Sequence, residues 1–438
     1  MPSANQTGNN SRHTSLIICA AVYCLLCVGL GVASSSYASI KLPQFAYFLV
    51  IANILWLFAL YRLRFINGLS IRFVLFWSVL FRLCLLPAFP VLENDIFRYL
   101  WDGYMLVRHH AVYGILPSQF YPGTGVEEAM RPILDLLAYP DVPTVYGPVA
   151  QLVFAGAYLV SPGEIWPFKL MVVSADIGVL LMLSRRLSPE KLLLFSWCPL
   201  ILFQFALNAH IDILAVLFIM AAVCIDSRPS RWWSAPVLLV LATGCKVFSL
   251  LAVPFILHHW RQRVIFAVLL LTGYLPIVLT GHSEFEGLAA MAREWAFNSF
   301  WYTNIALLIN DTAARAGGMA VFVFGAVMIY RYYGGTDLSR GLIGCFAIYT
   351  LLLLTIPALN PWYLLWVLFF ALFTSCKWPW VFAVSIWLSL LTGINLQTDK
   401  LDLYEVPLVV LWLEYGIVLV AALWFDRHKS GVNPDKAA

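Results

Sequence analysis

Apolar segments long enough to cross a bilayer recur along almost the whole chain, and they restrict the fold more than any other feature. A membrane-spanning helix needs about 20 mostly apolar residues. Ten segments approach that length: 15–37, 44–61, 70–90, 165–184, 264–280, 314–330, 341–357, 361–376, 378–394 and 406–425. Charged residues make up 11% of the chain, whereas a soluble domain carries about 25%. The sequence therefore predicts an all-α polytopic integral membrane protein.

Two further apolar regions are predicted to be hairpins whose arms are too short to cross the membrane alone. A helical arm of about 13 residues reaches only about 20 Å, and the hydrocarbon core is about 30 Å thick. Short arms with a polar apex usually line a cavity. The arms are 192–204 with 210–225, and 233–244 with 247–258. Spans and hairpins together predict about 12–14 transmembrane helices.

The distribution of basic residues predicts the orientation, because cytoplasmic loops carry an excess of Lys and Arg. With the N-terminus in the cytoplasm, seventeen of the 27 basic residues fall on the cytoplasmic side. This orientation places 91–147, 281–313 and 395–405 outside, together with the polar hairpin apices. The predicted organisation is a cytoplasmic tail 1–14, a single transmembrane catalytic domain 15–425 and a cytoplasmic tail 426–438.

The first outward loop opens with a polar and aromatic motif, DIFRYLWDG at 95–103. On a helix, Asp95, Arg98, Tyr99 and Asp102 share one face, because their spacing is i, i+3, i+4 and i+7. The apolar residues between them are expected to bury the other face in the membrane. One interpretation is an interfacial helix with solvated or paired charges. The other is a sugar or phosphate site in which a carboxylate acts as general base towards a hydroxyl.

The hairpin apices carry further candidate residues. Lys246 lies in an apolar stretch without an acidic neighbour in sequence, and a lysine at membrane depth marks a site by default. We therefore expect it to bind an anionic group such as a phosphate. Arg82 is a weaker signal, because its long stem could reach the interface. His210 and Asp212 could be structural, contact substrate or bind a metal. No third metal ligand is evident, and we expect no metal and no cofactor.

Two more outward segments combine polar and aromatic residues. One contains Arg293, Glu294 and Asn298, and the other contains Trp362 and Tyr363. Each is either an interfacial segment or part of a substrate site. The net charge is only +4, which argues against a nucleic-acid partner. The chain lacks the glycine-rich motifs that bind nucleotides, so a nucleotide-sugar donor on a Rossmann-like domain is not supported.

The motifs together resemble those of the bacterial GT-C glycosyltransferases that use polyprenyl-phosphate sugars, particularly mannosyltransferase-like members. The similar elements occur in order along the chain: DIFRYLWDG at 95–103, PTVYGP at 143–148, WCPL at 197–200, HID at 210–212, KVFSLLAVP at 246–254, EWAFN at 294–298 and PWY at 361–363. The resemblance implies a GT-C-like helical bundle whose outward loops form the active-site cavity. It implies Asp95 as catalytic base. The expected substrate-binding residues are Arg98, Tyr99, Asp102, Tyr146, His210, Asp212, Lys246, Arg293, Glu294, Asn298, Trp362 and Tyr363.

By this resemblance the chain is expected to move a hexosyl group, in particular mannosyl, with inversion. The donor would be a polyprenyl-phosphate sugar, and the acceptor a hydroxyl of a glycan, lipid or protein. The expected location is the bacterial inner membrane, with the site facing the periplasm. A lipid-sugar flippase or transporter is the alternative, since short arms and an intramembrane Lys also occur in transporters. However, no inverted repeat is visible and the polar clusters lie on one side. A third interpretation is a non-catalytic partner in polysaccharide assembly, in which Asp95 would be dispensable.

Overall fold

The computed structural model describes residues 4–66, 68–121, 125–226, 233–335, 337–393 and 406–426, and these are almost entirely helical. Helices account for 75% of the structure. Within the ranges just given, pairing of extended backbone is limited to an isolated parallel bridge between Phe297 and Ala358. The prediction of an all-α polytopic membrane protein is confirmed.

The α-helices are numbered in chain order. They are α1 (Ala4–Ala33), α2 (Leu42–Leu63), α3 (Ile71–Leu85), α4 (Asp95–His109), α5 (Arg131–Asp135), α6 (Pro148–Val160), α7 (Trp166–Leu183), α8 (Pro189–Ser196), α9 (Pro199–Ile201), α10 (Asp212–Asp226), α11 (Ser234–Cys245), α12 (Val253–Ile256), α13 (Trp260–Val278), α14 (Glu284–Glu294), α15 (Phe300–Leu308), α16 (Asp311–Tyr333), α17 (Leu338–Thr355), α18 (Leu364–Ala371), α19 (Trp378–Ser385), α20 (Trp387–Gly393) and α21 (Leu408–Ala421). Short 3-10 helices cover Pro117–Phe120, Glu128–Met130, Val247–Ala252 and Pro361–Tyr363, and π-helices cover Leu202–Leu207 and Ala422–Asp426.

The chain forms two compact units. The first comprises Met1–Val253 and His259–Glu294, and the second comprises Pro254–His258 and Trp295–Ala438. The motif at 95–103, both hairpin apices and α14 belong to the first unit. The prediction of one catalytic domain over 15–425 stays a prediction.

Seven helices in the described ranges are long and apolar enough to cross a membrane, and each coincides with a predicted span. They are His13–Ala33, Leu42–Leu63, Trp166–Leu183, Trp260–Val278, Asp311–Tyr333, Leu338–Thr355 and Leu408–Asp426. An eighth is present if Pro189–Ser196 and Pro199–Leu207 form one span bent by 51°. The bend falls at Pro199, which has no backbone N–H to continue the helix.

The remaining predicted spans contain shorter helices. Helix α3 has 15 residues, although its predicted span was 70–90. The predicted spans 361–376 and 378–394 and the arms of the second hairpin are also short apolar helices. A total of 12–14 crossings therefore depends on these shorter helices and stays a prediction. The predicted outward loop 395–405 and most of the C-terminal tail lie outside the described residues.

Helix α4 is surrounded by protein rather than lying with one face in the membrane. Ile96, Phe97, Leu100 and Trp101 are each 1–2% exposed. The ring of Phe97 packs 5.0 Å from that of Tyr37, and the ring of Trp101 packs 5.4 Å from that of Phe120. The expectation that these apolar residues face lipid is wrong, because other parts of the first unit cover both sides of the helix.

Candidate active site

Helix α4 begins at the carboxylate that the motif singled out. Asp95 is its first residue, after Asn94 in the N-cap position. An acidic side chain in the first turn is favourable because the helix dipole is positive there. Further along, a Cβ on Gly103 would lie 2.4 Å from the carbonyl oxygen of Phe154 in α6. Only a glycine permits this approach, which holds α4 against α6.

The Asp95 carboxylate lies where three other side chains converge. Its Oδ2 accepts long hydrogen bonds from the phenols of Tyr99, at 3.5 Å, and Tyr146, at 3.4 Å. The Nδ1 atom of His210 lies 3.8 Å from the same oxygen. The side chain of Asp95 is 31% exposed, whereas that of His210 is 1% exposed. A hydroxyl of a substrate could therefore reach this carboxylate.

The surroundings of Asp95 make it a stronger base than a free aspartate. Burial raises the pKa of Asp95 above its ordinary value of 3.8, the ammonium of Lys246 lowers it, and the charge of Asp212 raises it. The two phenols lower the pKa of Asp95, because they donate to its ionised form. The net direction is upward, so the carboxylate holds a captured proton more strongly than a free aspartate does.

The imidazole of His210 lies between two carboxylates. Its Nδ1 faces Asp95, and its Nε2 lies 3.9 Å from Oε1 of Glu93. Burial lowers the pKa of His210, and Lys246 lowers it further, so the ring is neutral at neutral pH. Burial raises the pKa of Glu93, and Asp95 raises it further. Glu93 was not among the predicted site residues, because it precedes α4 and shares no helical spacing with the motif.

The backbone around His210 is fixed by a break in the helix before it. The π-helix Leu202–Leu207 ends there, and Ala209 has a left-handed backbone with a φ of 59°. The amide of His210 donates to the carbonyl of Gln204 at 3.1 Å. The Oδ1 of Asn208 accepts from the amide of Val91 at 2.9 Å, which ties the apex to the segment before α4. Such π segments occur frequently at functional sites.

The two hairpin apices meet at an ion pair. The Nζ of Lys246 lies 3.5 Å from Oδ2 of Asp212 and 5.5 Å from the centre of the Tyr146 ring. Lys246 has no acidic neighbour in sequence, but the fold brings Asp212 to it from the other hairpin. The Asp212 side chain is 1% exposed and that of Lys246 is 14% exposed. The ammonium is thus the more accessible member of the pair.

Arg98 and Asp102 belong to a second, buried cluster. The Nε of Arg98 donates to Oδ1 of Asp102 at 2.8 Å, and its Nη1 donates to the carbonyl of Val142 at 2.9 Å. The Oδ2 of Asp102 accepts from the hydroxyl of Thr144 and from Nε2 of Gln151, the latter at 3.0 Å. Thr144 and Gln151 were not predicted as site residues. Thr144 lies inside the PTVYGP element at 143–148, which was a signal for it, whereas Gln151 is an uncharged polar residue in an apolar helix and carries no pattern that would identify it.

The other predicted site residues are distributed as follows. Arg293 and Glu294 are exposed at the end of α14 in the first unit. Asn298, Trp362 and Tyr363 belong to the second unit. There, Nδ2 of Asn298 donates to Oε1 of the buried Glu414 at 2.7 Å. Their predicted role in substrate binding stays a prediction.

The first unit also contains buried charges with a structural role. The long side chain of Arg82 could have reached the membrane interface, but it does not. Arg82 is fully buried and makes two hydrogen bonds to the carboxylate of Asp176, at 2.7 and 3.2 Å. Lys169 is also buried, and its ammonium donates to the carbonyl of Leu85, the last residue of α3, and to that of Ala88 just beyond it. Asp176 and Lys169 could have been found from the sequence, because both are charged residues inside the predicted span 165–184.

No group of three or more His, Cys, Asp or Glu side chains in the described ranges could hold a metal ion. The expectation that the protein needs no metal stays a prediction.

The family of the chain follows from its sequence between residues 29 and 262. This stretch matches the model of the MptA_B family, alpha-(1->6)-mannopyranosyltransferase, N-terminal domain. The chain belongs to this family. No curated protein and no solved structure matches the chain. The MptA_B match includes all the residues around Asp95, from Glu93 to Lys246. The protein is thus a membrane glycosyltransferase from a mannosyltransferase family, with a sugar donor and an acceptor as substrates.

Proposed function

We propose that this protein transfers a mannosyl group from a polyprenyl phosphate to a hydroxyl acceptor outside the membrane, with Asp95 as the general base. The observation that carries the proposal is the position of the Asp95 carboxylate. It is partly open and bordered by two phenols, the imidazole of His210 and the Lys246–Asp212 pair. A family of mannosyltransferases supports mannose as the transferred sugar.

The proposed reaction is a single displacement at the anomeric carbon. Asp95 takes the proton of the acceptor hydroxyl, whose oxygen forms a bond to C1 of the sugar. The bond from C1 to the phosphate oxygen breaks, and its electron pair leaves with the polyprenyl phosphate. Because attack and departure occur on opposite faces of C1, the configuration inverts. The donor phosphate is a diester with one negative charge, and it leaves as a monoester that gains a second.

The leaving group needs a cation rather than an acid, because the growing charge lies on a phosphate that is stable as an anion. Lys246 is the candidate that the geometry supports best, since its ammonium borders the Asp95 site and is partly exposed. Arg98 already donates hydrogen bonds to Asp102 and to the Val142 carbonyl. We therefore assign it a structural role and not the binding of the leaving phosphate. Arg293 is exposed and remains a second candidate.

The proposed inversion, taken with the linkage in the family description, favours one anomer of the donor. The description names an alpha-(1->6) product. A single inverting displacement gives an α-linked product only from a β-linked donor. We therefore propose a β-mannosyl polyprenyl phosphate as donor and the 6-hydroxyl of a glycan as acceptor. The polyprenyl chain would remain in the lipid while the sugar phosphate enters the site.

The test is transfer by the purified protein in lipid nanodiscs. Wild-type protein should use β-mannosyl polyprenyl phosphate, but neither its α-anomer nor a nucleotide mannose. Asp95→Asn keeps the shape of the side chain but cannot accept a proton at neutral pH. Transfer should fall by at least about 10²-fold, as is typical when a general base is lost, while donor binding persists.

A matched control is Asp135→Asn, since Asp135 is an exposed aspartate at the end of α5. This variant should transfer mannose as wild type does. Full activity of Asp95→Asn would remove Asp95 from the mechanism. Transfer from the nucleotide sugar alone would exclude the lipid donor, and flux of a lipid-linked sugar without transfer would favour a flippase.

A further inference from the structure

Tyr146 reaches the Asp95 carboxylate with its phenol, and its backbone is held at both ends of the residue. The amide of Tyr146 donates to the hydroxyl oxygen of Thr144 at 3.3 Å. Its carbonyl accepts from Nε2 of Gln151 at 3.3 Å and from the phenol of Tyr113 at 3.3 Å. The position of the Tyr146 ring is therefore set by polar contacts of its own main chain.

These contacts lead back to Asp102. Thr144 and Gln151, which hold the two ends of Tyr146, both donate to Oδ2 of Asp102, and Gln151 also donates to Thr144 at 3.0 Å. Asp102, Thr144 and Gln151 are each at most 2% exposed. Water is thus excluded from competing for these bonds, which strengthens them and makes each unmet partner costly.

The contacts form a closed circuit on one helix. Asp102 lies two turns after Asp95 in α4. From Asp102 the circuit runs through Thr144 to Tyr146, and the phenol of Tyr146 returns to Asp95. The other oxygen of Asp102 holds Arg98, which anchors the start of the same segment at Val142. Asp95 and Asp102 lie on one rigid helix. The hydrogen bonds from Asp102 through Thr144 to Tyr146 therefore fix the distance from the Tyr146 phenol to the Asp95 carboxylate.

We propose that Asp102 is a positioning residue that holds Tyr146 against Asp95 through Thr144 and Gln151. The inference rests on the proposed role of Asp95 as base. Asp102 does not itself accept the substrate proton, since its oxygens already accept from Arg98, Thr144 and Gln151. Tyr146 favours the ionised, proton-accepting form of Asp95 only while its phenol is kept in reach.

The test is a double-mutant cycle read out as the pH profile of kcat/KM. Tyr146→Phe removes a donor to the Asp95 carboxylate. The pKa of Asp95 should therefore rise, and the acid limb should move to higher pH by roughly half to one unit. Thr144→Val preserves the shape of the side chain but removes the hydroxyl that links Tyr146 to Asp102. It should move the acid limb in the same direction, and the double variant should move it no further than Tyr146→Phe alone.

The other titratable and charged groups that face Asp95 are unchanged in all of these variants, so a difference between two pH profiles does not come from them. They are Tyr99 on its own helix, and Glu93, His210, Asp212 and Lys246 on the segments packed against it. Thr144→Ser, which keeps the hydroxyl, should restore the position of the acid limb. Thr272→Val is the matched control, because Thr272 is exposed and bonds only to carbonyls of its own helix.

The outcomes separate the inference from the proposed function. If Asp95→Asn loses transfer but Thr144→Val leaves the acid limb in place, the inference about Asp102 fails, and the proposed role of Asp95 as general base is retained. Additive shifts in the double variant would also overturn the inference. If Asp95→Asn stays fully active, the proposed function itself fails. Should Thr144→Val not fold, Gln151→Met removes the second link between Asp102 and Tyr146, and the same shift and coupling are expected.

Discussion

Lys246, the residue proposed to bind the donor phosphate, is part of an ion pair. Its partner Asp212 is almost fully buried, while the ammonium is partly exposed. A buried pair stabilises little on balance, because removing two charges from water costs about as much as their attraction returns. Removing one partner alone is strongly destabilising, because the other charge remains buried. The stability effect and the functional effect of Lys246 therefore have to be separated by changing both residues.

Lys246→Met should lower the thermal stability of the protein and weaken the binding of the lipid phosphate. The loss of stability should be about 3–5 kcal/mol, as for other broken buried pairs. The double variant Lys246→Met/Asp212→Asn should regain the stability but not the donor affinity. Asp212→Asn alone keeps the ammonium and should bind donor. Unfolding in nanodiscs and donor titration measure the two effects. Recovery of donor affinity in the double variant would show that Lys246 acts only on the structure.

Residues with a distinctive chemical type or spacing could be predicted from the sequence, and residues without one could not. Asp95 and Tyr99 have helical spacing within a polar motif, and Lys246 is a charge inside an apolar stretch. The structure places these residues beside one another. Glu93 and Gln151 lie next to predicted residues in sequence or space, and Thr144 lies inside the PTVYGP element, but only the folded contacts reveal what these three side chains do. The Lys246–Asp212 pair could not be predicted either, because it depends on how two hairpins pack.

Close packing of α4 on α6 determines where Asp95 lies relative to Thr144 and Gln151, and Gly103 permits this packing. Alanine at this position would gain about 1 kcal/mol of helix propensity. However, its Cβ would lie 2.4 Å from the Phe154 carbonyl oxygen, and backbone cannot yield as a flexible side chain can. We expect Gly103→Ala to lower stability by about 1–3 kcal/mol, as overpacking does, and to reduce transfer.

The control for Gly103→Ala is Gly156→Ala in α6. A Cβ there would meet only the Cε of Met171, at 3.5 Å, which is an ordinary contact. Both variants gain the same helix propensity, so their difference isolates the contact between α4 and α6. Gly156→Ala should be neutral or slightly stabilising in thermal unfolding and in the transfer assay. Equal behaviour of the two variants would contradict the argument.

Span length could be predicted from hydropathy where a helix is continuous, but not where local chemistry interrupts it. The seven long helices match predicted spans within a few residues. The segment 70–90 was predicted as one span, yet α3 ends at Leu85, and Lys169 donates to the carbonyls of Leu85 and Ala88 at this end. Hydropathy averages over such a break, since the residues after α3 remain apolar.

The whole molecule has a predicted orientation that places the Asp95 site on the periplasmic side of the membrane. The prediction rests on the excess of basic residues in the loops assigned to the cytoplasm. It is independent of the polar motifs, which all fall on the opposite side. A polyprenyl-phosphate donor with an external acceptor requires this arrangement, because the sugar phosphate must enter the site from the outer half of the membrane.

Labelling of single introduced cysteines tests the orientation. Glu128→Cys and Ala289→Cys lie in the two outward loops, and Gly68→Cys and Gly335→Cys in loops assigned to the cytoplasm. All four positions are exposed in the structure, so their access to reagent depends on the side of the membrane. A membrane-impermeant maleimide should label the first two in intact cells and the last two only after permeabilisation. Because the chain contains nine native cysteines, the unmodified protein provides the background. Labelling of Gly335→Cys in intact cells would contradict both the orientation and an external site for transfer.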